Sequence, residues 1–160
     1  MVPKTLTFRL VLGVTQSTGR SIGFLEGDDE LDAGEVFDDL QEKTGMTVRS
    51  RMDWWLSGNN GPGEWFHGFP NDSDHKECFV FKWKQKRQGH RLYGFLCKPW
   101  PETNPGFQLC VLNIHATKNE YDTDLTELDR VNRWHASLGA REAIGHTYPE
   151  YRRERRQWKN

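Results

Sequence analysis

The sequence predicts an α+β domain, a small antiparallel or mixed sheet with helices packed on one side. Residues 78–97 contain two strand patterns separated by a short turn, which is typical of a β-hairpin. Two further segments, 34–57 and 123–138, repeat apolar side chains at helical spacing. The 160 residues are enough for a single domain with its own core.

The order of the elements suggests three parts within one domain. They are an N-terminal strand with an acidic extension (1–33), a core (34–139) and a basic C-terminal tail (146–160). The extra strand covers residues 5–14, and the polar, glycine-rich segment 15–33 is predicted to be a loop.

The core contains the remaining predicted elements. The helical segment 34–57 is expected to break at Gly45, and residues 64–77 are predicted to be irregular. Residues 107–115 are apolar on both faces, which favours a central strand. Thr123 is expected to cap the last helix, and Gly139 to end it.

Charge is distributed very unevenly although the net charge is only −1. Residues 26–39 hold eight acids and no base, residues 82–91 hold five bases and no acid, and the tail 151–160 is again basic. A local basic patch can contact phosphate whatever the net charge. The acidic segment is interpreted as a solvated loop, as a screen over the basic face, or as a site for a basic partner.

Nothing in the sequence predicts a membrane span, a secretory signal or a cofactor. No apolar segment approaches membrane length and the first residues lack a signal pattern, so we expect a cytoplasmic protein. Cys78, Cys97 and Cys110 lie in strand-like segments and are interpreted as reduced core thiols. Neither CxxC spacing nor a phosphate-binding glycine motif occurs, so neither a metal nor a nucleotide cofactor is predicted.

The hairpin has two unlike faces in the expected register. With Gln88 and Gly89 as the turn, Lys84 pairs with Tyr93 and Lys82 with Phe95. Side chains alternate between the faces, so one face is an apolar core face made of Phe79, Phe81, Trp83, Leu92 and Leu96. The other face is cationic and holds Lys82, Lys84, Lys86, Arg91 and Tyr93.

The cationic face is interpreted as an RNA-phosphate site, with Lys82, Arg87, His90 and Tyr93 as RNA-binding residues. The same residue types can cleave RNA without metal, because the 2′-hydroxyl must lose a proton, the pentacovalent phosphorus needs cations and the 5′-oxygen needs a proton. His115, followed by Lys118, is a further candidate. Lysines on an edge strand also prevent aggregation, and this alternative stays open.

The order and text of these elements resemble the RelE/HigB/ParE toxin superfamily, especially its HigB-like, phage-derived branch. The resemblance covers about residues 46–135 and rests on two helices before the hairpin and on five short segments: 79–84, 90–96, 107–112, 115–120 and 123–128. It implies a RelE-like fold. His90 stands where the family usually has a tyrosine.

The resemblance implies a metal-independent mRNA endoribonuclease that acts at the ribosome and is neutralised by a small antitoxin protein. Carried over by position, Arg91 contacts the scissile phosphate, and the other catalytic candidates are Lys84, Lys86, Lys118 and His115. The alternatives are a non-catalytic interaction module of the same fold, of phage or mobile-element origin, and a gyrase-directed toxin.

Overall fold

The computed structural model describes residues 5–118 and 125–152. A six-stranded mixed sheet has the spatial order β1-β2-β6-β5-β4-β3, and β2 and β6 are its parallel pair. Its strands are β1 (Thr7–Leu10), β2 (Arg20–Glu26), β3 (Phe66–Gly68), β4 (Cys78–Gln85), β5 (Gln88–Cys97) and β6 (Gln108–Lys118). Four helices accompany the sheet: α1 (Ala33–Asp38), α2 (Glu42–Leu56), α3 (Leu125–His135) and α4 (Leu138–Thr147). The predicted α+β class and mixed sheet are therefore confirmed.

The helices cover both faces of the sheet, so the expectation that they pack on one side was wrong. Phe79 and Phe81 of β4 pack with α2 residues such as Trp55 in one core. Cys78 and Val80, which point to the opposite face, pack with Leu128 of α3 in the second core. Because β4 is apolar on both sides over this stretch, each side needs its own cover.

Three predictions for the N-terminal half differ from the structure. The segment 15–33 contains the buried strand β2, which pairs with the central strand β6, and the irregular segment 64–77 contains β3. The helical segment 34–57 divides before Glu42 rather than at Gly45, which lies inside α2.

The C-terminal half also differs in one boundary. The last predicted helix is two helices, because Ser137 accepts a hydrogen bond from the amide of Ala140 and starts α4, so Gly139 begins a helix instead of ending one. Thr123 and the tail from residue 153 lie outside the described residues. Within the described parts of the chain, no helix is long and apolar enough to cross a membrane.

The hairpin β4–β5 turns two residues earlier than predicted. Lys86 and Arg87 form the turn with φ angles of 52° and 67°, so Lys82 pairs with Arg91, and Lys84 with Gly89. Gly89 is needed inside the strand, because a Cβ there would lie 2.6 Å from the carbonyl oxygen of Lys118 on β6. The pairing moves by an even number of residues, so the predicted division into two faces survives.

The acidic segment 26–39 is tied into the fold. Glu26 and Asp38 both bind the guanidinium of Arg9, at 2.6 and 2.8 Å. Asp32 accepts a hydrogen bond from the amide of His115 at 2.8 Å, and Glu30 accepts one from the indole of Trp134 at 2.9 Å. The solvated-loop interpretation therefore fails for these four carboxylates.

Candidate functional site

A pocket of about 700 Å³ lies beside the turn end of the hairpin. The edge strand β3 pairs with β4 only as far as Phe81, and the next residue, Lys82, donates its amide to the carbonyl of Trp65 at 2.8 Å. Arg51 of α2 reaches the same edge and donates to the carbonyl of Lys82 at 2.7 Å. The early end of β3 thus leaves room for a pocket between α2, β4 and the loop before β3.

The lining of this pocket is strongly cationic, and we call it the cationic pocket. Among residues 5–118 and 125–152, Glu64 is the one carboxylate that lines it. Its cationic side chains are Arg51, Lys82, Lys84, Arg87, Arg91 and Lys118. None of the residues 26–39 lines it, so the acidic segment does not cover these cations.

Burial and a neighbouring positive charge shift the pKa of Lys82, which lies among these cations. The pKa of Lys82 is lowered from its ordinary value, first by burial and then by the neighbouring charge of Arg91. The pKa of Arg51 is also lowered by burial. A bound anion would offset both effects, because it adds to the opposite charge that Glu64 supplies.

Arg91 is almost entirely buried at the floor of the pocket, with 6% of its surface exposed. Its guanidinium donates a hydrogen bond to the hydroxyl of Tyr93 at 3.2 Å. Tyr93 is fully buried, and burial raises its pKa to about 12. Tyr93 therefore has no free ring face for a base, and the predicted stacking role does not fit; its hydroxyl instead helps to orient Arg91.

A cluster of three rings forms one wall of the pocket. The ring of His90 is nearly parallel to that of Trp83, with centres 5.2 Å apart, and its centre is also 5.2 Å from that of His115. The centres of Trp83 and His115 are 6.0 Å apart, so the three rings form a triangle. Nδ1 of His90 and Nε2 of His115 are 2.9 Å apart and share a hydrogen bond. His90 lines the pocket, and His115 lies behind it.

Burial lowers the pKa of both histidines in this cluster. For His115 the charge of His90 lowers the pKa further, while Asp32 and Glu127 oppose this. The pair is therefore neutral near pH 7, with one ring donating its proton to the other. A neutral imidazole at the pocket wall can accept a proton from a bound ligand.

The structure thus brings together most of the predicted site. Pocket-lining residues include Lys82, Lys84, Arg87, His90, Arg91 and Lys118. Lys86 lies in the turn and does not line the pocket, and His115 reaches it only through His90. Lys118 forms an ion pair with Glu127 at 2.9 Å, so part of its charge is neutralised.

Sequence reasoning missed Arg51, Glu64 and Trp65, which also line the pocket. They belong to α2 and to the loop before β3, and they meet the hairpin only through tertiary packing. Their spacing along the chain gave no signal for that. Trp83 was predicted as a core residue, which it is, with 2% exposed.

In the described ranges no group of three or more His, Cys, Asp or Glu residues is arranged to hold a metal ion. Comparison of the chain with family profiles, curated proteins and solved structures gave no match. The function is therefore inferred from the geometry and electrostatics of the pocket.

Proposed function

We propose that the chain is a toxin-like endoribonuclease whose cationic pocket binds the phosphodiester backbone of RNA. The observation that supports this most is that, in the described part of the chain, one pocket is lined by six cationic side chains, a neutral histidine and a single carboxylate. RNA supplies both the negative charge that the cations need and the 2′-hydroxyl that the histidine can deprotonate. The proposal includes an mRNA substrate at the ribosome, a small antitoxin protein as partner and a cytoplasmic location, all taken from the resemblance to RelE-type toxins.

The proton acceptor in this proposal is His90. Its Nε2 takes the proton of the 2′-hydroxyl, and the 2′-oxygen attacks the adjacent phosphorus. His115 is a positioning residue, because its hydrogen bond to Nδ1 of His90 fixes the ring, as does the stacking on Trp83. Nδ1 of His90 then donates to His115, which stabilises the protonated ring.

The cations complete the reaction. Arg91 follows His90 on β5, so the two side chains point to opposite faces of the sheet, and Lys84 lies on the Arg91 face. In this proposal the RNA backbone therefore passes round the edge of β4. Arg51, on the His90 side, stabilises the charge that develops on the phosphoryl oxygens, and Arg91 and Lys84 bind the backbone phosphates on the other side. Lys82 protonates the departing 5′-oxygen, and its lowered pKa makes it a better acid than an ordinary lysine. The bond from phosphorus to the 5′-oxygen breaks, leaving a 2′,3′-cyclic phosphate and a 5′-hydroxyl.

The test combines induced expression with an RNA assay on the purified chain. We expect growth arrest, loss of intact mRNA and fragments that end in a 2′,3′-cyclic phosphate. His90→Ala should lower the cleavage rate by about 10² to 10⁴-fold, whereas His146→Ala, an exposed histidine on α4, should not change it. Intact mRNA during growth arrest would favour a gyrase-directed toxin and would overturn the proposal.

A non-catalytic interaction module is the second candidate, and two observations favour it. Lys118 is held by Glu127, and Tyr93 is buried, so two of the predicted site residues are already committed to the fold. This candidate predicts no RNA cleavage, with or without ribosomes, and a protein ligand at the cationic face or at the acidic segment 26–39.

A further inference from the structure

The one carboxylate of the cationic pocket opposes phosphate binding and needs an explanation. Glu64 is exposed and lies close enough to Arg51 and Lys82 to raise the pKa of each. Within residues 5–118 and 125–152, however, no hydrogen bond or ion pair to Glu64 is formed. Its two oxygens are thus available to a ligand that carries hydrogen-bond donors.

The neighbouring residue, Trp65, offers a surface for a flat ligand. Its ring is half-buried and lines the same pocket, whereas the other aromatic rings there, Trp83 and His90, are stacked on each other. Aromatic side chains at the edge of a cationic groove commonly stack on the bases of single-stranded RNA.

The position of Trp65 is fixed before any ligand binds. Its amide donates to the carbonyl of Pro62 at 3.0 Å, and its carbonyl accepts from Lys82. The ring is T-shaped to that of Trp54, with centres 6.3 Å apart. The guanidinium of Arg51 lies over one face of the ring, 5.4 Å from its centre, so the opposite face is the one on which a base can stack. A ring held from several sides costs little entropy when a base stacks on it.

We propose that Glu64 and Trp65 form a nucleobase subsite that prefers guanine in single-stranded RNA, an inference that rests on the proposed function. Guanine presents two adjacent donors, N1–H and the N2 amino group, and a carboxylate accepts both at once. Adenine, cytosine and uracil each lack one of these donors on that edge. Glu64 therefore selects the base, Trp65 stacks on it, and Arg51 and Lys82 bind the flanking phosphate.

The test measures binding of the full chain to four trinucleotides by calorimetry. The probes are UGU, UAU, UCU and UUU with 2′-O-methyl groups, which block cleavage. We expect the wild-type chain to bind UGU roughly tenfold to a hundredfold more tightly than the others. Glu64→Gln should remove this preference and strengthen binding of the other three, because it removes a repulsive charge. Glu77→Gln, an exposed carboxylate outside the pocket, is the matched control and should change nothing.

Two results would overturn the inference. One is equal affinity of the wild-type chain for all four probes. The other is a uniform gain for all four in Glu64→Gln, which would show that Glu64 only balances charge. In either case continued RNA binding would leave the proposed function standing. If none of the probes binds and longer RNA is not bound either, the proposed function itself fails.

Discussion

The two ends of the hairpin β4–β5 hold a buried or half-buried histidine each, in opposite electrostatic surroundings. At the Cys78 end, His75 lies between Asp72 and Asp129, with both contacts at 2.7 Å, and these carboxylates raise its pKa. At the turn end, His90 packs against the rings of Trp83 and His115, and burial lowers its pKa. Carboxylate partners, rather than burial, thus decide which histidine is charged.

This difference separates two roles. His75 is a charged link that joins the loop before β4 to α3, because Asp72 belongs to the loop and Asp129 to the helix. His90 is a neutral group beside the cations of the pocket and is the one suited to accept a proton. These two roles can be tested by changing the histidine at one end of the hairpin and measuring the property that is assigned to the other end.

The largest expected effect is on RNA cleavage. Arg91→Ala should lower the rate by about 10² to 10³-fold, because it removes a preorganised donor from the phosphate. His75→Gln, at the other end of the hairpin, should leave the rate unchanged. RNA fragments resolved by gel electrophoresis over time give both rates.

Folding must be controlled in this comparison, because Arg91 is almost entirely buried. Arg91→Lys keeps the charge but loses the forked geometry, so it should retain the fold and still lose most of the rate. Growth arrest by a folded Arg91→Ala chain would contradict the role of this arginine.

The next effect concerns the salt dependence of RNA binding. Lys82→Gln should weaken binding to all sequences and reduce the slope of log affinity against log salt by about one. Lys98→Gln changes an exposed lysine outside the pocket and should keep the slope. Fluorescence anisotropy of labelled RNA at several salt concentrations measures it. Equal slopes in the two variants would place the RNA elsewhere.

A smaller effect concerns how stability depends on pH, and its sign differs between the two histidines. The pKa of His75 is raised above 6.5 in the folded chain, so its contribution is complete below pH 6.5 and is lost as the pH rises through the raised value. The pKa of His90 is lowered, so the unfolded chain takes up the proton first and stability falls as the pH drops below 6.5.

Urea unfolding between about pH 5 and about pH 8 tests both signs. In His75→Gln the free energy of unfolding should fall less steeply as the pH rises on the alkaline side. In His90→Gln it should fall less steeply as the pH drops on the acid side. His67 and His135 also have lowered pKa values, and they remain in both variants as a common background. The lowered pKa of His115 depends partly on the charge of His90, so His90→Gln reports on the pair. The same change of slope in both variants would remove the distinction between the two ends.

Much of the sheet could be predicted because strand alternation is a local property. The faces of the hairpin and the central strand β6 follow from the side chains themselves. Strand β2 was missed because its glycine suggested a loop. Gly23 is there for another reason: a Cβ would lie 2.3 Å from the ring of Phe8 on β1. The sequence alone does not predict such a close approach, because it depends on which strand lies next to Gly23.

The cationic pocket was predictable only in part, for a related reason. Lys82, Lys84 and Arg91 share a hairpin, so their proximity follows from pairing. Arg51 and Glu64 join them through packing of α2 and of the loop before β3. The stacking of His90 on His115 needs the pairing of β5 with β6, in which Leu92 is opposite His115, and this requires the register of two strands that are distant in sequence.

The smallest expected effect concerns the turn of the hairpin β4–β5, which forms at two residues that usual turn preferences do not predict. Both turn residues, Lys86 and Arg87, have positive φ angles, as a two-residue type I′ turn requires. Asparagine adopts this conformation at lower cost than lysine, so Lys86→Asn should stabilise the chain by a few tenths to about 1 kcal/mol. Lys86 does not line the pocket, and RNA affinity should stay nearly unchanged.

The matched control for this turn is Lys84→Asn, on the adjoining strand. Asparagine is unfavourable in strands, so this variant should lose stability, and it should also weaken RNA binding because Lys84 lines the pocket. Urea midpoints and RNA anisotropy measure both properties. A loss of stability in Lys86→Asn would argue for the turn at Gln88 and Gly89, which would move Arg91 away from Lys82. The cationic pocket therefore depends on a turn that the chain makes at two residues with no intrinsic preference for it.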